Sequence, residues 1–284
     1  MMDVGVWFSI CFLFYHMTVA ECTSVLGKLL FASRELIMEL DVDSKNISVL
    51  ANYAGCCANS LDYDYKHKYI YFTRNDYSMT IMRFTYPSQN ISLQTFVNSS
   101  SFPGGVAVDS ANYHVYWVHD NGDTLSRCNL DGTNVVVLNS SSHTFSIRLD
   151  VQNRWMYIGY QYTGISKSRF DLTDISMIVN FTSNAVAFVS CMDIDVTEQR
   201  VYWMNYYGDL KSVNVDGSDI KTIVSTNFPS YDYRAIGVSG DYIYYADNNK
   251  QLIMMNKSQG STPTVLFTAD HRIDSIYVFE SPGI

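Results

Sequence analysis

Basic residues are scarce in this chain. Of 284 residues only 17% are charged, and 19 Lys and Arg stand against 28 Asp and Glu, giving a net charge of −9. No Lys/Arg cluster of the kind that tracks a phosphate backbone occurs, which sets nucleic-acid binding aside. An acidic surface should repel anionic lipid and attract basic partners. Catalytic signatures are missing as well. There is no HExxH, no GxSxG and no phosphate-cradling glycine loop; the 6 histidines are dispersed and no Cys-X-X-Cys spacing exists. No enzyme activity, metal or cofactor is therefore expected. With 5 Pro and 15 Gly the chain is not low-complexity, and with 47% hydrophobic residues it has ample material for a large core and no case for disorder.

Long apolar runs are also lacking, except at the start. The stretch "MMDVGVWFSICFLFYHMTVA" carries an apolar run from Val4 to Tyr15 followed by Thr18-Val19-Ala20, and is expected to be a signal peptide over 1–20, cleaved before Glu21. It contains Asp3 and no Lys or Arg. A membrane anchor is the alternative, but the run falls short of the roughly 20 residues that a spanning helix needs. The mature chain, 21–284, is expected to be secreted, extracellular, without a membrane span and monomeric. Six Asn-X-Ser/Thr sequons, at Asn46, Asn90, Asn98, Asn139, Asn180 and Asn256, fit that compartment, and several are expected to carry glycan. Five cysteines would remain after cleavage: Cys22, Cys56, Cys57, Cys128 and Cys191. That number is odd and too small for a disulfide scaffold. The preferred bridge joins Cys22 to Cys56 or Cys57, and Cys128 and Cys191, inside apolar runs, read as buried thiols.

What is abundant is tyrosine, 22 residues, in a composition that favours strands. The segment "HVYWVHDNGDTLSRCNLDGTNVVVL" from His114 to Leu138 recurs along the chain. Its aromatic pair Tyr116-Trp117 is matched by Tyr71-Phe72, Tyr157-Ile158, Tyr202-Trp203 and Tyr244-Tyr245, with Leu30-Phe31 as a worn copy, at spacings of 41, 45, 41, 45 and 42 residues. Seven residues before four of these tyrosines stand Asp64, Asp109, Asp150 and Asp195. Each unit reads as four short strands joined by Asn-, Asp-, Gly- and Ser-rich turns. A four-stranded repeat of about 40 residues is the pattern of a propeller blade. The first unit lacks a first strand, and the chain finishes with "RIDSIYVFE" (272–280), a first strand with nothing behind it. Pairing the two closes an all-β, six-bladed propeller of four strands per blade. The blades fall at about 28–55 with 272–280, 60–99, 104–140, 145–183, 191–228 and 234–271.

These units resemble the YWTD propeller of the low-density lipoprotein receptor family, also called receptor class B repeats. The resemblance runs from Leu26 to about Glu280 and is most specific at Asp109, Tyr116-Trp117, Asn129-Leu130-Asp131-Gly132, Tyr202-Trp203 and Val215-Asp216-Gly217. The family's Thr-Asp after the aromatic pair is Thr73-Arg74, Val118-His119, Gly159-Tyr160 and Met204-Asn205 here, and only Ala246-Asp247 keeps the Asp. Where that Asp tethers blades in the family, this chain must use other contacts. The resemblance implies capture of an extracellular protein ligand, as in lipoprotein uptake, endocytosis or Wnt-type signalling. Matrix assembly, as by the nidogen propeller, is the alternative. Family members carry an EGF-like module and a membrane span beyond the propeller, so a soluble binder and a receptor piece are both expected readings.

Most repeated residues read as structural: aromatic pairs fill the space between blades, and the Asp-Gly positions are turns. Function should lie in the loops joining second and third strands, which emerge at one end of a propeller. There the candidates are Arg74, Asn75, Asp76 and Tyr77; His119 and Asp120; Tyr160 and Tyr162; Asn205, Tyr206 and Tyr207; Asp247 and Asn248. Tyrosine anchors with an acidic rim suit a partner with a basic or Asn-bearing contact segment. His119 is expected as a plain surface histidine, with pH-dependent binding as the sharper alternative. A last rival is a Ca²⁺-dependent propeller hydrolase built on Asp62, Asp193 and Asp274. Each of these is instead expected to face a neighbouring backbone or Arg148.

Overall fold

A computed structural model describes residues 27–55, 57–120, 124–139, 143–181, 188–225, 235–258 and 260–279. Among these the chain forms 24 strands in six four-stranded antiparallel sheets and no helix. From the innermost strand outward, blade 1 is Ile273–Val278, Lys28–Ser33, Leu36–Asp41 and Ile47–Asn52. Blade 2 is Leu61–Asp64, Tyr69–Arg74, Thr80–Thr85 and Gln94–Asn98, and blade 3 is Pro103–Asp109, His114–His119, Thr124–Asn129 and Val136–Asn139. Blade 4 comprises Thr144–Asp150, Trp155–Tyr160, Gly164–Ser168 and Ser176–Asn180; blade 5 Cys191–Asp195, Arg200–Met204, Leu210–Asn214 and Lys221–Val224. Blade 6 is Ile236–Ser239, Tyr242–Ala246, Gln251–Asn256 and Thr264–Thr268.

The ring closes as the ends of the sequence require. Ile273–Val278 pairs antiparallel with Lys28–Ser33, with Phe31 opposite Ile276 and Leu30 opposite Tyr277, and so supplies the strand that blade 1 lacks.

Six apolar clusters, one per blade–blade interface, form the core, and the period-two alternation of the second strand distributes the aromatic pairs among them. Tyr116 packs toward blade 4, against Ile147 and Ile158, while Trp117 packs toward blade 2, against Tyr71 and Val106. Tyr157 and Ile158, Tyr202 and Trp203, and Tyr244 and Tyr245 divide in the same way, and Leu30 and Phe31 do so in the worn copy. Each pair thus glues its blade to both neighbours.

The repeated aspartates fasten the first hairpins. Asp64 Oδ1 accepts from the backbone N–H of Lys66 and His67, Asp109 from Asn112, Asp150 from Asn153 and Asp195 from Glu198. Their second oxygens reach further. Arg154 of blade 4 donates to Asp109 at 2.6 Å, Gln199 of blade 5 to Asp150 at 3.4 Å, and Lys257 of blade 6 to Asp195. These ties join blade 3 to blade 4, blade 4 to blade 5 and blade 5 to blade 6 at the end of the ring that bears the first hairpins. The Asp-Gly turns behave as turn chemistry: Gly132 sits at φ +84°, where a Cβ would also stand 3.0 Å from the Phe96 carbonyl oxygen of the preceding blade.

Candidate functional site

The loops between second and third strands gather at one end of the ring, and those of blades 2 and 3 are in contact. Asn75 of blade 2 donates through Nδ2 to the Asp120 carboxylate of blade 3 at 3.1 Å. Arg74 pairs with Asp76 at 2.7 Å and donates to the Ala54 carbonyl at 2.8 Å, and Asp76 in turn accepts from the Ser78 N–H. This holds the turn rigid while Tyr77 at its tip is 97% exposed. In blade 4, Tyr162 is 54% exposed, its ring edge-on to His143 and Phe188. In blade 5, Tyr206 and Tyr207 are half-buried and meet edge to face at 5.7 Å.

Other candidates do different work. Asn205 is buried and caps its own turn: Oδ1 accepts from the N–H of Tyr207 and Asp209, and Nδ2 donates to Asp209. Asp247 likewise accepts from the N–H of Asn249 and Gln251, with Asn248 half-buried beside it. Two expectations are overturned. His119 is 1% exposed; its Nε2 lies 3.0 Å from Ser126 Oγ, and burial holds its pKa below the ordinary value. Tyr160 is 3% exposed, with its hydroxyl 3.1 Å from Ser166 Oγ in the core between blades 3 and 4. Neither side chain can offer a partner a contact, and His119 is not a surface histidine. The second strands run through His119 and Tyr160, so alternation from Trp117 and Ile158 carries both side chains inward.

The channel carboxylates are individually committed. Asp62 accepts from the N–H of Val108 in the next blade at 2.6 Å and of Tyr63 at 2.8 Å. Asp193 accepts from the N–H of Val238 at 2.8 Å and from Arg148 Nε at 2.9 Å, and Asp274 pairs with Arg272 at 2.6 Å. Burial raises the Asp62 pKa to about 6 and raises that of Asp193, in both cases against the opposing pull of Arg148. Among the described residues no group of three or more His, Cys, Asp or Glu side chains could hold a metal.

No family model matches the chain. A chain in the crystal structure of a nidogen/laminin complex superposes with a TM-score of 0.76 at 18% identity, over 89% of this chain and 98% of that one. The fold is that of a YWTD-type six-bladed β-propeller. The vitellogenin receptor of Solenopsis invicta is 28% identical over 136 residues, which is 44% of this chain and 8% of the receptor's length.

The opposite end of this propeller holds what sequence reasoning missed. A pocket of about 450 Å³ opens between blades 2 and 3, lined by Asp64, His67, Tyr69, Tyr71, Arg83 and Tyr113 among others. Tyr113 stands at the turn position that Arg154 and Gln199 hold in blades 4 and 5, from which each of those reaches back to the aspartate of the blade before. The Tyr113 ring instead carries the Lys66 ammonium at 4.3 Å, and Asp64 pairs with its own turn's His67 at 2.8 Å. The comparison of turn residues at 68, 113, 154 and 199 was the available signal.

Asn46, Asn90, Asn98 and Asn180 are exposed; Asn256 is half-buried with Oδ1 accepting from the Ser258 N–H, and the Asn139 side chain lies outside the described residues. So do Cys22 and Cys56, together with the whole of 1–26. Cys57 is disulfide-bonded. Cys128 and Cys191 are buried thiols, and burial pushes the Cys128 thiol up to about 12. Among the described residues no helix is long and apolar enough to cross a membrane.

Proposed function

We propose that this chain is an extracellular, non-catalytic propeller module that captures a protein ligand on its loop-bearing end. The observation that carries the reading is Tyr77, a large aromatic side chain 97% exposed on a turn that Arg74, Asp76 and Ala54 hold in place. Rigid display of an amphipathic ring is how binding surfaces limit the entropy lost on association. Tyr162 and the Tyr206–Tyr207 pair extend that surface, and the acidic side chains Asp76, Asp120 and Asp247 favour a partner with basic or Asn-bearing contacts. The similarity to a vitellogenin receptor supports a receptor-type role, of which lipoprotein uptake and Wnt-type signalling are the finer forms. A second reading, matrix assembly, is favoured by the neighbour taken from a nidogen/laminin complex, almost all of whose chain is covered. A Ca²⁺-dependent hydrolase gains no support from the channel, where each aspartate is tied to a backbone N–H or an arginine.

The test uses purified vitellogenin and laminin as probes against the immobilised chain. Under the receptor-type reading vitellogenin binds and laminin does not; the reverse favours matrix assembly. Tyr77→Ala and the double change Tyr206→Ala with Tyr207→Ala should each weaken binding by about tenfold, the loss expected for a contact worth 1–2 kcal/mol, without changing Tm. Binding that survives both variants would move the site off this end, and no binding to either probe would remove both readings.

A further inference from the structure

The pocket between blades 2 and 3 lies at the end of the ring away from Tyr77, and capture of a protein ligand on the Tyr77 surface makes no use of it. Its volume of about 450 Å³ falls within the ~300–1,000 Å³ of small-molecule sites. Aromatic and polar groups share its wall: Tyr69, Tyr71 and Tyr113 with Arg83, Asn129 and Asp131. At the two interfaces that follow, Arg154 and Gln199 bond back to Asp109 and Asp150. Tyr113, at the matching turn position, makes no such bond to Asp64 among the described residues, and it is 49% exposed.

Two cations stand at this pocket without a carboxylate partner among the described residues. Arg83 donates through Nε to Gln94 Oε1 at 3.3 Å and through Nη1 to the Leu130 carbonyl at 2.9 Å, while its Nη2 carries no hydrogen bond there. Rings fix the guanidinium, with the centres of Tyr69 and Phe96 at 4.6 and 5.1 Å. Lys66 is exposed and holds its ammonium 4.3 Å from the Tyr113 ring centre. The Asp64 carboxylate is already committed, since it is buried and bonded to the N–H of Lys66 and His67 and to the His67 ring. Asp131 accepts from Thr133 through Oδ1 alone, which leaves its Oδ2 open. An anionic guest therefore finds a guanidinium of the kind that bridges carboxylate and sulfate oxygens. A tyrosine ring beside amide and carboxylate oxygens also fits a pyranose, which is apolar on its C–H face and ringed by hydroxyls.

We propose that this pocket binds an acidic saccharide unit. Its carboxylate or sulfate lies on Arg83 with Lys66 beside it, its C–H face rests on Tyr113, and its hydroxyls bond to Asn129 and Asp131. The site is separate from the Tyr77 surface, so both can be occupied at once.

The experiment titrates three disaccharides into the full, folded chain by calorimetry at low salt: a sulfated heparin disaccharide, an unsulfated hyaluronan disaccharide and neutral maltose. The sulfated probe should bind at least about tenfold more tightly than maltose, and its binding should weaken as salt rises. Binding of both acidic probes assigns the carboxylate, and binding of the sulfated one alone assigns the sulfate. Tyr113→Ala and Lys66→Gln, both at exposed positions, should each weaken binding by about tenfold, and Arg83→Gln should abolish it. Arg127→Gln should change nothing, although Arg127 stands opposite Tyr116 as Arg83 stands opposite Tyr71. Should Arg83→Gln fail to fold, the two exposed variants decide the matter. Maltose binding as tight as that of the acidic probes, no saturation with either acidic probe, or binding that survives both Tyr113→Ala and Lys66→Gln overturns the proposal. Tighter binding of a hexaglutamate peptide than of either acidic disaccharide also overturns it and assigns the pocket to an acidic protein segment. None of these probes tests the Tyr77 surface, so failure here leaves the reading of that end untouched.

Discussion

At the scale of the residue, the channel wall makes the sharpest prediction. Asp62 is stabilised as a carboxylate by two backbone N–H groups and by Arg148, yet burial outweighs them and its pKa stands at about 6 against 3.8 when exposed. A group raised on folding binds its proton more tightly in the native state. Its favourable contribution is complete below about pH 4 and is lost as pH rises through 6. Asp62→Asn, which cannot ionise, should therefore gain on the parent between pH 4 and 6, by on the order of 1–3 kcal/mol across the window. The gain would ride on a constant cost from the altered hydrogen bond to Val108. Thermal unfolding of both proteins at several pH values reads this directly, and parallel curves would show that Asp62 is ionised throughout. The residue scale is also where sequence reasoning was least secure. The aspartates' turn role was legible because Asp bonds its own backbone locally. The burial of His119 and Tyr160 was not, because a strand end and a loop start look alike in composition, and only the parity of the strand separates them.

At the scale of the element, the ties between blades rest on what stands at the end of each first hairpin. Arg154 reaches Asp109, which is 0% exposed, and its guanidinium also lies 4.0 Å from the Phe170 ring centre. Replacing Arg154 with Met keeps the apolar stem and leaves the buried carboxylate with only Asn112. Because the arginine is itself partly exposed, the cost should be about 1–3 kcal/mol rather than that of a fully buried pair. Gln199, at the same position one blade later, makes a longer and neutral contact, so Gln199→Ala should cost under about 1 kcal/mol. Denaturant unfolding compares the two, and equal losses would mean that packing rather than charge joins these blades. The strands themselves were legible almost throughout, since a buried blade needs alternating apolar residues and its turns need Asn, Asp and Gly. The pocket beside Tyr113 was not legible. Its walls come from two blades whose matching residues lie 45 apart in sequence, and only the packing of those blades brings them together.

At the scale of the whole molecule, the six cores lie between blades and none lies within one, so every blade depends on both neighbours and the ring on its closure. The strand Ile273–Val278 has three partners: it pairs with Lys28–Ser33, packs Ile273, Ile276 and Val278 into the core with blade 6, and brings Tyr277 to the core with blade 2. Closure was legible from the incomplete first and last repeats, because an unpaired first strand and a sheet lacking one can satisfy only each other. Removing residues 272–284 should then do more than subtract one strand. Blade 1 would be left with three strands and an open inner edge, and two inter-blade cores would be exposed to water at once. Repeat arrays lose stability through their interfaces, so this truncation should remove the single cooperative transition and not merely lower its midpoint. Near-ultraviolet circular dichroism and light scattering on the truncated chain provide the check. The expected result is loss of the aromatic signal with self-association through the uncovered edge. A truncated chain that stays monomeric and unfolds in one step at the parent's temperature would show that the four interfaces untouched by this strand suffice. In that case the propeller is stabilised as an open arc, and its last strand serves only to cover an edge.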